Sequence, residues 1–398
     1  MDITITPGKL TGTIAAIPSK SQAHRLLICA AFADRPTTLF CPDTNRDIEA
    51  TVDCLNALGA KIDRTSQGYQ VIPMTTAPAQ ATLDCCESGS TLRFMLPIVG
   101  ALGVAATFLM SGRLPQRPLS PLWEEMERMG CTLWRPTDST LRCCGGLKSG
   151  TYSIAGNVSS QFITGLLFAS ALMEGYSRIE ILGNLESQPY VEMTQRALAL
   201  FGVDTENYQV QGGQKFHTPG SILVEGDWSN GAFWLAAKAL GSELEVTNLQ
   251  ENSPQGDRKV TDFLQALNGN AHINATQTPD LVPILAIVAG AKQGATFEHC
   301  ARLRLKETDR LETTAAMIRN LGGWAEILED SLIIKGTGYR GGIVDAKGDH
   351  RIAMSAAIAA TVCTEPVTIL NAHEVKKSYP GFWEDYTKLG GRYELYLR

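Results

Sequence analysis

The chain has 398 residues, 44% of them hydrophobic, and a formal charge of −6. That is enough apolar material for two ordinary cores, and too little basic charge for a surface that tracks a nucleic-acid backbone. Any anion site must be local. No apolar run reaches membrane-span length, and Met1-Asp2-Ile3-Thr4 has neither the basic nor the apolar stretch of a signal peptide, so a cytoplasmic chain with no membrane or nucleic-acid partner is expected.

A first strand is expected over Ile3–Ile5, and Pro18-Ser19-Lys20-Ser21-Gln22-Ala23-His24-Arg25 then opens an apolar helix. An amphipathic segment follows, ends at Leu58-Gly59 and runs into strands at Ala60-Lys61-Ile62 and Tyr69–Ile72. Ser88-Gly89-Ser90-Thr91-Leu92-Arg93 heads a second apolar helix, and its amphipathic companion ends at Met129-Gly130. Ser159-Ser160-Gln161 heads the third, with strands at Ser153-Ile154 and Ile179–Leu182 around it and a companion ending at Phe201-Gly202. Beyond a strand at Ser221–Val224, further heads stand at Ser229, Asp280 and Gly348-Asp349-His350-Arg351, with companions ending at Gly269, Gly322 and Gly390. Glycine just past a helix accepts the left-handed conformation that closes it.

The markers Ser21, Gly89, Ser160, Ser229, Asp280 and Asp349 lie 68, 71, 69, 51 and 69 positions apart, a repeat of roughly 70 with one shortened unit. An all-apolar helix needs burial on every side, whereas a half-polar one can face water. Each unit therefore reads as strand, buried helix, strand, exposed helix and closing strands, an α/β pattern with three units in each half. The polar stretch Val224-Glu225-Gly226-Asp227 separates the halves. One domain is expected over 14–226, the other over 1–13 joined to 227–398.

The ten cysteines include the adjacent pairs Cys85-Cys86 and Cys143-Cys144 and no CxxC spacing, so they read as small buried hydrophobes, and neither a metal site nor a cofactor is expected. Gly336-Thr337-Gly338-Tyr339-Arg340-Gly341 has the letters of a dinucleotide fingerprint, but it follows a strand and leads into another extended run. Such a fingerprint must open a helix, so the segment is expected to be a hairpin.

The helix heads carry more chemistry than capping requires. Backbone N–H groups and the positive dipole end of a helix favour anions, and Lys20, Arg25, Arg93 and Gln161 add donors beside the capping serines. In the second half carboxylates join the cations. Asp280 and Glu307, in Arg304-Leu305-Lys306-Glu307-Thr308-Asp309-Arg310, are candidates for moving protons, with Arg310, Arg351 and Lys377 as candidates for holding an anion.

Taken in order, Ser19-Lys20-Ser21 with Arg25, Gly89-Ser90-Thr91 with Arg93, Gln116-Arg117-Pro118, Ser159-Ser160-Gln161, Ser187-Gln188-Pro189-Tyr190, Lys306 to Arg310, Asp349-His350-Arg351 and Lys377-Ser378-Tyr379-Pro380 resemble the 5-enolpyruvylshikimate-3-phosphate synthase family. The resemblance spans essentially the whole chain. It implies two similar domains of three βαβαββ-type units, an inside-out α/β barrel arrangement, with the active site in the interdomain cleft. The implied reaction moves the enolpyruvyl group of phosphoenolpyruvate to the 5-hydroxyl of shikimate 3-phosphate and releases phosphate, in a monomer.

Carried over position by position, the resemblance gives Lys20, Ser21, Arg25, Ser159, Ser160, Gln161, Ser187, Asp280 and Lys306 to shikimate 3-phosphate. It gives Lys20, Gly89, Arg117, Gln161, Arg310, Arg351 and Lys377 to phosphoenolpyruvate. Asp280 is the expected base for the hydroxyl, and Glu307, with Lys20, the expected proton carrier at C3. Glu87, Ser90 and Arg302 depart from residues common in the family, and the room beside Gly89 predicts sensitivity to glyphosate. Two rivals are the sister transferase acting on UDP-N-acetylglucosamine, whose loop cysteine has no counterpart in Ser111 to Pro118, and a non-catalytic anion-binding protein on the same scaffold.

Overall fold

A computed structural model describes residues 1–396. The chain divides into two compact units, Pro18–Val224 and a second made of Met1–Ile17 with the chain from Glu225 onward. The crossings fall a few residues from the expected positions for a simple reason. The second strand of the chain stays in register with its partner through Ala15↔Thr247, so the first crossing cannot come before it ends.

Two strands open the chain, β1 (Asp2–Thr6) and β2 (Thr11–Ala15), and both belong to the second unit. The Pro18–Val224 unit then runs α1 (Lys20–Ala31), β3 (Thr37–Phe40), α2 (Arg46–Ala57), β4 (Lys61–Thr65), β5 (Gly68–Ile72), β6 (Gln80–Asp84), α3 (Gly89–Leu102) and β7 (Ala105–Leu109). It continues with α4 (Leu122–Arg128), β8 (Cys131–Thr137), β9 (Thr140–Gly145), β10 (Thr151–Ala155), α5 (Ser160–Leu172), β11 (Tyr176–Leu182), α6 (Gln188–Leu200), β12 (Gln209–Gln211) and β13 (Ser221–Leu223). Its sheets are ordered β13-β3-β5-β4, β6-β7-β9-β8 and β10-β11-β12. Each starts with a parallel pair, joined through a buried helix in the β6-β7 and β10-β11 pairs, and antiparallel pairing follows. The last strand, β13, supplies the leading strand of the first repeat, pairing Ile222 with Leu39.

The other unit repeats the plan with α7 (Trp228–Ala239), β14 (Glu243–Thr247), α8 (Val260–Ala266), β15 (Ala271–Asn274), α9 (Val282–Ala291), β16 (Gly294–Glu298), α10 (Arg310–Asn320) and β17 (Trp324–Ile327). Then come β18 (Ser331–Lys335), β19 (Gly342–Asp345), α11 (His350–Ala359), β20 (Val367–Leu370), α12 (Phe382–Lys388) and β21 (Arg392–Tyr396). Its sheets are β14-β2, β15-β16-β18-β17 and β19-β20-β1-β21. Here the start of the chain closes the repeats. Ile3 of β1 lies between Ile369 of β20 and Leu395 of β21, both antiparallel.

The buried helices are α1, α3 and α5 in one unit and α7, α9 and α11 in the other. In α9 every residue from Val282 to Gly290 is buried. With roughly 1.5–3 kcal/mol for each fully buried Val, Leu or Ile, such helices dominate their cores. In α3 the close partner is α5, where a Cβ on Gly165 would stand 2.3 Å from the Arg93 carbonyl oxygen. Pro97 has no N–H to give that carbonyl, and only glycine lets the neighbouring backbone approach so closely.

Two expectations change. Gly336 to Gly341 does not form a hairpin, because β18 and β19 lie in different sheets and the segment crosses from one repeat to the next. The cysteines are free and mostly buried, but Cys86 is exposed and Cys144 half-buried, each being the outward neighbour of a buried partner. No helix among the described residues is long and apolar enough to cross a membrane.

Candidate active site

In the Pro18–Val224 unit the three buried helices start alike. Ser19, Ser88 and Ser159 are the N-caps of α1, α3 and α5, accepting from the backbone N–H groups of Gln22, Thr91 and Gln161 at 3.4, 3.2 and 3.3 Å. The capping serines are buried, whereas Lys20, Ser21, Ser90 and Gln161 beside them are only half-buried. The Lys20 ammonium donates to Asp47 Oδ2 at 2.8 Å. Asp47 sits in the first turn of α2, where the helix dipole favours a carboxylate.

The starts of α3 and α5 are tied together through side chains. Arg93 Nη1 donates to Gln161 Oε1 at 2.8 Å, and Gln161 Nε2 donates to Ser90 Oγ at 2.8 Å. Arg93 Nη2 also holds the Pro118 carbonyl at 3.0 Å, which fixes the segment carrying Arg117. A Cβ on Gly89 would meet Arg117 Nη1 and Arg93 Nη1, both at 2.7 Å. Glycine there lets two guanidinium groups close over the helix start.

Arg25 is placed differently from Lys20. It is buried, with Nε on Thr194 Oγ1 at 2.8 Å, Nη1 on the Ser21 carbonyl at 2.6 Å and Nη2 on the Tyr190 carbonyl at 2.8 Å. Burial lowers it to about 10. It braces α1 against α6 beneath the helix starts. Ser160 and Ser187 are also buried, and Ser187 takes a left-handed conformation, φ 55°, to enter α6. His24 bonds Thr51 Oγ1 at 2.7 Å, and burial outweighs the nearby Asp47 to bring it down to about 3, so it is neutral at physiological pH.

The unit holding α7 to α12 carries a denser charge cluster. Arg310, at the start of α10, is 1% exposed and is its hub. Its Nε donates to Asp349 Oδ2 at 2.7 Å, its Nη1 to Asp280 Oδ1 at 2.8 Å, and its Nη2 to Glu307. Lys306 Nζ lies 3.2 Å from the same Asp280 oxygen. Arg351 Nη1 donates to the Asp280 carbonyl at 3.1 Å, and its Nη2 stands 3.6 Å from Asp280 Oδ2. Asp349 also caps α11, accepting from the Arg351 N–H at 2.9 Å.

Asp280 occupies a 3-10 turn (Pro279–Leu281) one step ahead of α9 and makes no capping bond. Burial alone would raise its carboxyl, but Lys306, Arg351 and Arg310 outweigh burial and the Glu307 charge and hold it well below the usual range. Burial lowers the Lys306 ammonium, with Asp280 pulling the other way. Lys377, ending the 3-10 turn Ala372–Lys377, is buried.

In one unit, then, Lys20, Gly89, Arg117 and Gln161 stand at neighbouring helix starts. In the other, Asp280, Lys306, Glu307, Arg310 and Arg351 form one network. Asp47 and Asp349 complete these groups and were absent from the sequence-derived set. Asp47 looks like an ordinary first-turn acid, and Asp349 like a plain helix head, so neither signals its pairing.

Two units of three α/β repeats, with cations at helix starts and carboxylates interleaved among them in one unit, define a class of protein that handles small polyanions. The family model for EPSP synthase (3-phosphoshikimate 1-carboxyvinyltransferase) matches residues 5–278 and 266–386, and the chain belongs to this family. Among its relatives, a 3-phosphoshikimate 1-carboxyvinyltransferase of Clostridium kluyveri is 39% identical over 98% of this chain and 97% of its own length. One of Clostridium beijerinckii is 36% identical over 99% and 98%. In fold the chain is similar to the EPSP synthase of Acinetobacter baumannii, with TM-score 0.80 and 23% identity over 99% of this chain and all of that one. It is also similar to the enolpyruvyl transferase NikO of Streptomyces tendae, with TM-score 0.76 and 18% identity over 99% and 98%.

Proposed function

We propose that this chain transfers the enolpyruvyl group of phosphoenolpyruvate to the 5-hydroxyl of shikimate 3-phosphate, giving 5-enolpyruvylshikimate 3-phosphate and phosphate, as a cytoplasmic monomer. The observation that carries the reading is the network in which Asp280 and Glu307 share Arg310, with Lys306 and Arg351 against Asp280. In a protein that only bound anions such carboxylates would weaken the pull of the cations they pair with, whereas proton transfer to and from a substrate gives them a use.

Phosphoenolpyruvate is assigned to Lys20, the Gly89 helix start, Arg117, Gln161, Arg310, Arg351 and Lys377. Shikimate 3-phosphate is assigned to Lys20, Ser21, Arg25, Ser159, Ser160, Gln161, Ser187, Asp280 and Lys306, with Arg25 acting chiefly by holding the helix starts in place. Both substrates are polyanions, and fixed cations and helix ends replace their water and offset their mutual repulsion.

The 5-hydroxyl oxygen attacks C2 of phosphoenolpyruvate and gives its proton to Asp280, while C3 receives a proton from Glu307 and becomes a methyl group. In the second step the methyl returns a proton to Glu307, the bond from C2 to the phosphate oxygen breaks, and phosphate leaves, taking up the proton held by Asp280. A carboxylate held as low as Asp280 is a weak base, because proton transfer is efficient when acid and base strengths are matched. An anion that draws Lys306 and Arg351 to itself removes part of what lowers Asp280. Substrate binding thereby strengthens the base it needs.

The test is phosphate release that requires both phosphoenolpyruvate and shikimate 3-phosphate, with glyphosate competing against the former. Release with UDP-N-acetylglucosamine in place of shikimate 3-phosphate would point to the sister reaction, and release with neither acceptor would leave an anion-binding protein.

A further inference from the structure

We propose that His24 is a positioning residue for the anion-binding helix starts: through Thr51 and Thr91 it keeps α1, α2 and α3 in register when Lys20 turns from Asp47 to a substrate anion. The proposal rests on the assignment of Lys20 and Gly89 to phosphoenolpyruvate given above and adds residues outside that set.

Two rungs join α1 to α2, one helical turn apart. In the outer rung Lys20 Nζ donates to Asp47 Oδ2 at 2.8 Å, and in the inner one His24 Nδ1 lies 2.7 Å from Thr51 Oγ1. From one rung to the next each helix advances four positions, Lys20 to His24 and Asp47 to Thr51, the spacing that stacks side chains on one face. The inner rung continues into α3. Thr51 Oγ1 is 2.8 Å from Thr91 Oγ1, which in turn is 2.8 Å from Ser88 Oγ and 3.4 Å from the Asp47 carbonyl. Ser88 is the N-cap of α3. One chain of hydroxyls therefore runs from the imidazole to the residue just before Gly89.

The two rungs respond differently to an incoming anion. The outer one is an ion pair, and the Lys20 side chain is 19% exposed, so an anion can compete with Asp47 for the ammonium. His24, Thr51, Thr91 and Ser88 are all fully buried. Burial, aided by Lys20 and Arg25 and opposed by Asp47, keeps the ring uncharged, so the inner rung offers an anion nothing to displace. A spacing held by the outer rung alone would loosen as soon as Lys20 was used.

Packing does not account for this histidine. Its Nε2 is buried and meets no hydrogen-bond partner among the described residues, which is a cost that an apolar side chain of similar size would avoid. What the ring supplies is the bond at Nδ1.

The test has two arms. In the first, steady-state phosphate release is compared for wild type, His24→Leu, His24→Asn, Thr51→Val and the His24→Leu/Thr51→Val double variant. Losing one partner leaves a buried polar group unpaired, so His24→Leu and Thr51→Val should each raise KM for phosphoenolpyruvate by about fivefold or more. Turnover should stay within about twofold. KM for shikimate 3-phosphate should stay within about threefold, because Ser159, Ser160 and Ser187 stand on other helices. His24→Asn, whose amide reaches the place of Nδ1, should recover most of the loss, and the double variant should be no worse than His24→Leu, since the two residues act in series. Thr51→Val keeps the shape of the side chain and carries this arm should His24→Leu fail to fold. The second arm needs no turnover. Amide hydrogen exchange at the starts of α1 and α3 is measured for Thr51→Val, Lys20→Met and their combination, Lys20→Met standing for the state in which the outer rung is open. Parallel supports fail together, so the combination should exchange about fivefold faster than the product of the single effects, with the start of α5 unchanged. An unchanged KM for phosphoenolpyruvate, equal rises in both KM values, a fall in kcat alone, no recovery by Asn, or exchange effects that merely multiply would each overturn the proposal. Should wild type release no phosphate, the catalytic reading falls, and exchange alone decides whether His24 braces the helix starts.

Discussion

Replacing Arg310 with Met removes one cation from among three carboxylates while keeping a side chain of similar length. Asp349 is fully buried, Asp280 and Glu307 have side chains only 20% and 15% exposed, and all three bond the same guanidinium. Breaking a buried ion pair by deleting one partner costs about 3–5 kcal/mol, since the remaining charge stays buried without compensation. A loss of that size is expected at pH 8. Urea melts followed by tryptophan fluorescence suit the measurement, because Trp234 and Trp383 lie in the core of the same unit. In wild type Asp280 is held low, so its contribution is present above the ordinary carboxylate range and is lost only as pH falls through its lowered value. In Arg310→Met part of that lowering is gone, and protonation relieves the buried charge. The gap between variant and wild type should therefore narrow as the pH is brought from 8 towards 5. Adding Asp349→Asn, which keeps an oxygen to cap α11, should recover about half of the loss. A deficit under about 1 kcal/mol at pH 8, or one independent of pH, would refute the view that Arg310 neutralises this cluster.

Three further outcomes follow from the same geometry. Glu307→Gln should keep substrate affinity and lower turnover by about 10²–10⁴, the usual contribution of a positioned proton carrier; essentially unchanged turnover would remove Glu307 from the proton path. Gly89→Ala should fold normally, since the added Cβ meets only the ends of Arg117 and Arg93. It should raise KM for phosphoenolpyruvate by about tenfold by displacing Arg117, and an unchanged KM would show that Arg117 does not hold that substrate. Asp257→Asn removes an acid that burial raises from 3.8 to about 6, whose charge destabilises the native state as pH rises through that interval. At 1.36 kcal/mol per unit, its stability relative to wild type should improve by roughly 2 kcal/mol between pH 4 and pH 7.5, and a difference that does not change with pH in urea melts would contradict the burial argument.

The repeat was legible because it rests on local chemistry. A serine before an apolar run and a glycine after an amphipathic one announce helix ends without reference to anything distant, and the six buried helices begin within two residues of the markers. What the sequence concealed is how the repeats close. Strand β13 leads the sheet begun by residues near the start of its unit, and β1 sits between β20 and β21. Nothing in Ser221–Leu223 or Asp2–Thr6 encodes a partner so far along the chain. The mistaken hairpin at Gly336 to Gly341 has the same origin, since two strands flanking a glycine-rich turn look alike whether they pair or part.

The candidate site divides along a similar line. Residue types at helix starts pointed to anions, but types do not reveal pairing, and pairing decides what Arg310 does. Read from its motif, it is a cation for phosphoenolpyruvate, yet its nitrogens are engaged by Asp280, Glu307 and an aspartate 39 positions away. An incoming anion must compete with those carboxylates for the guanidinium, so part of its attraction is offset by the bonds it breaks. In the proposed mechanism the same exchange would return basicity to Asp280 and mobility to the Glu307 carboxyl. A site of bare cations would hold the substrates more tightly in the ground state, whereas with the roles proposed for Asp280 and Glu307 this one would convert a share of that affinity into the strength of its acids and bases when the substrates arrive, which is where binding energy accelerates a reaction.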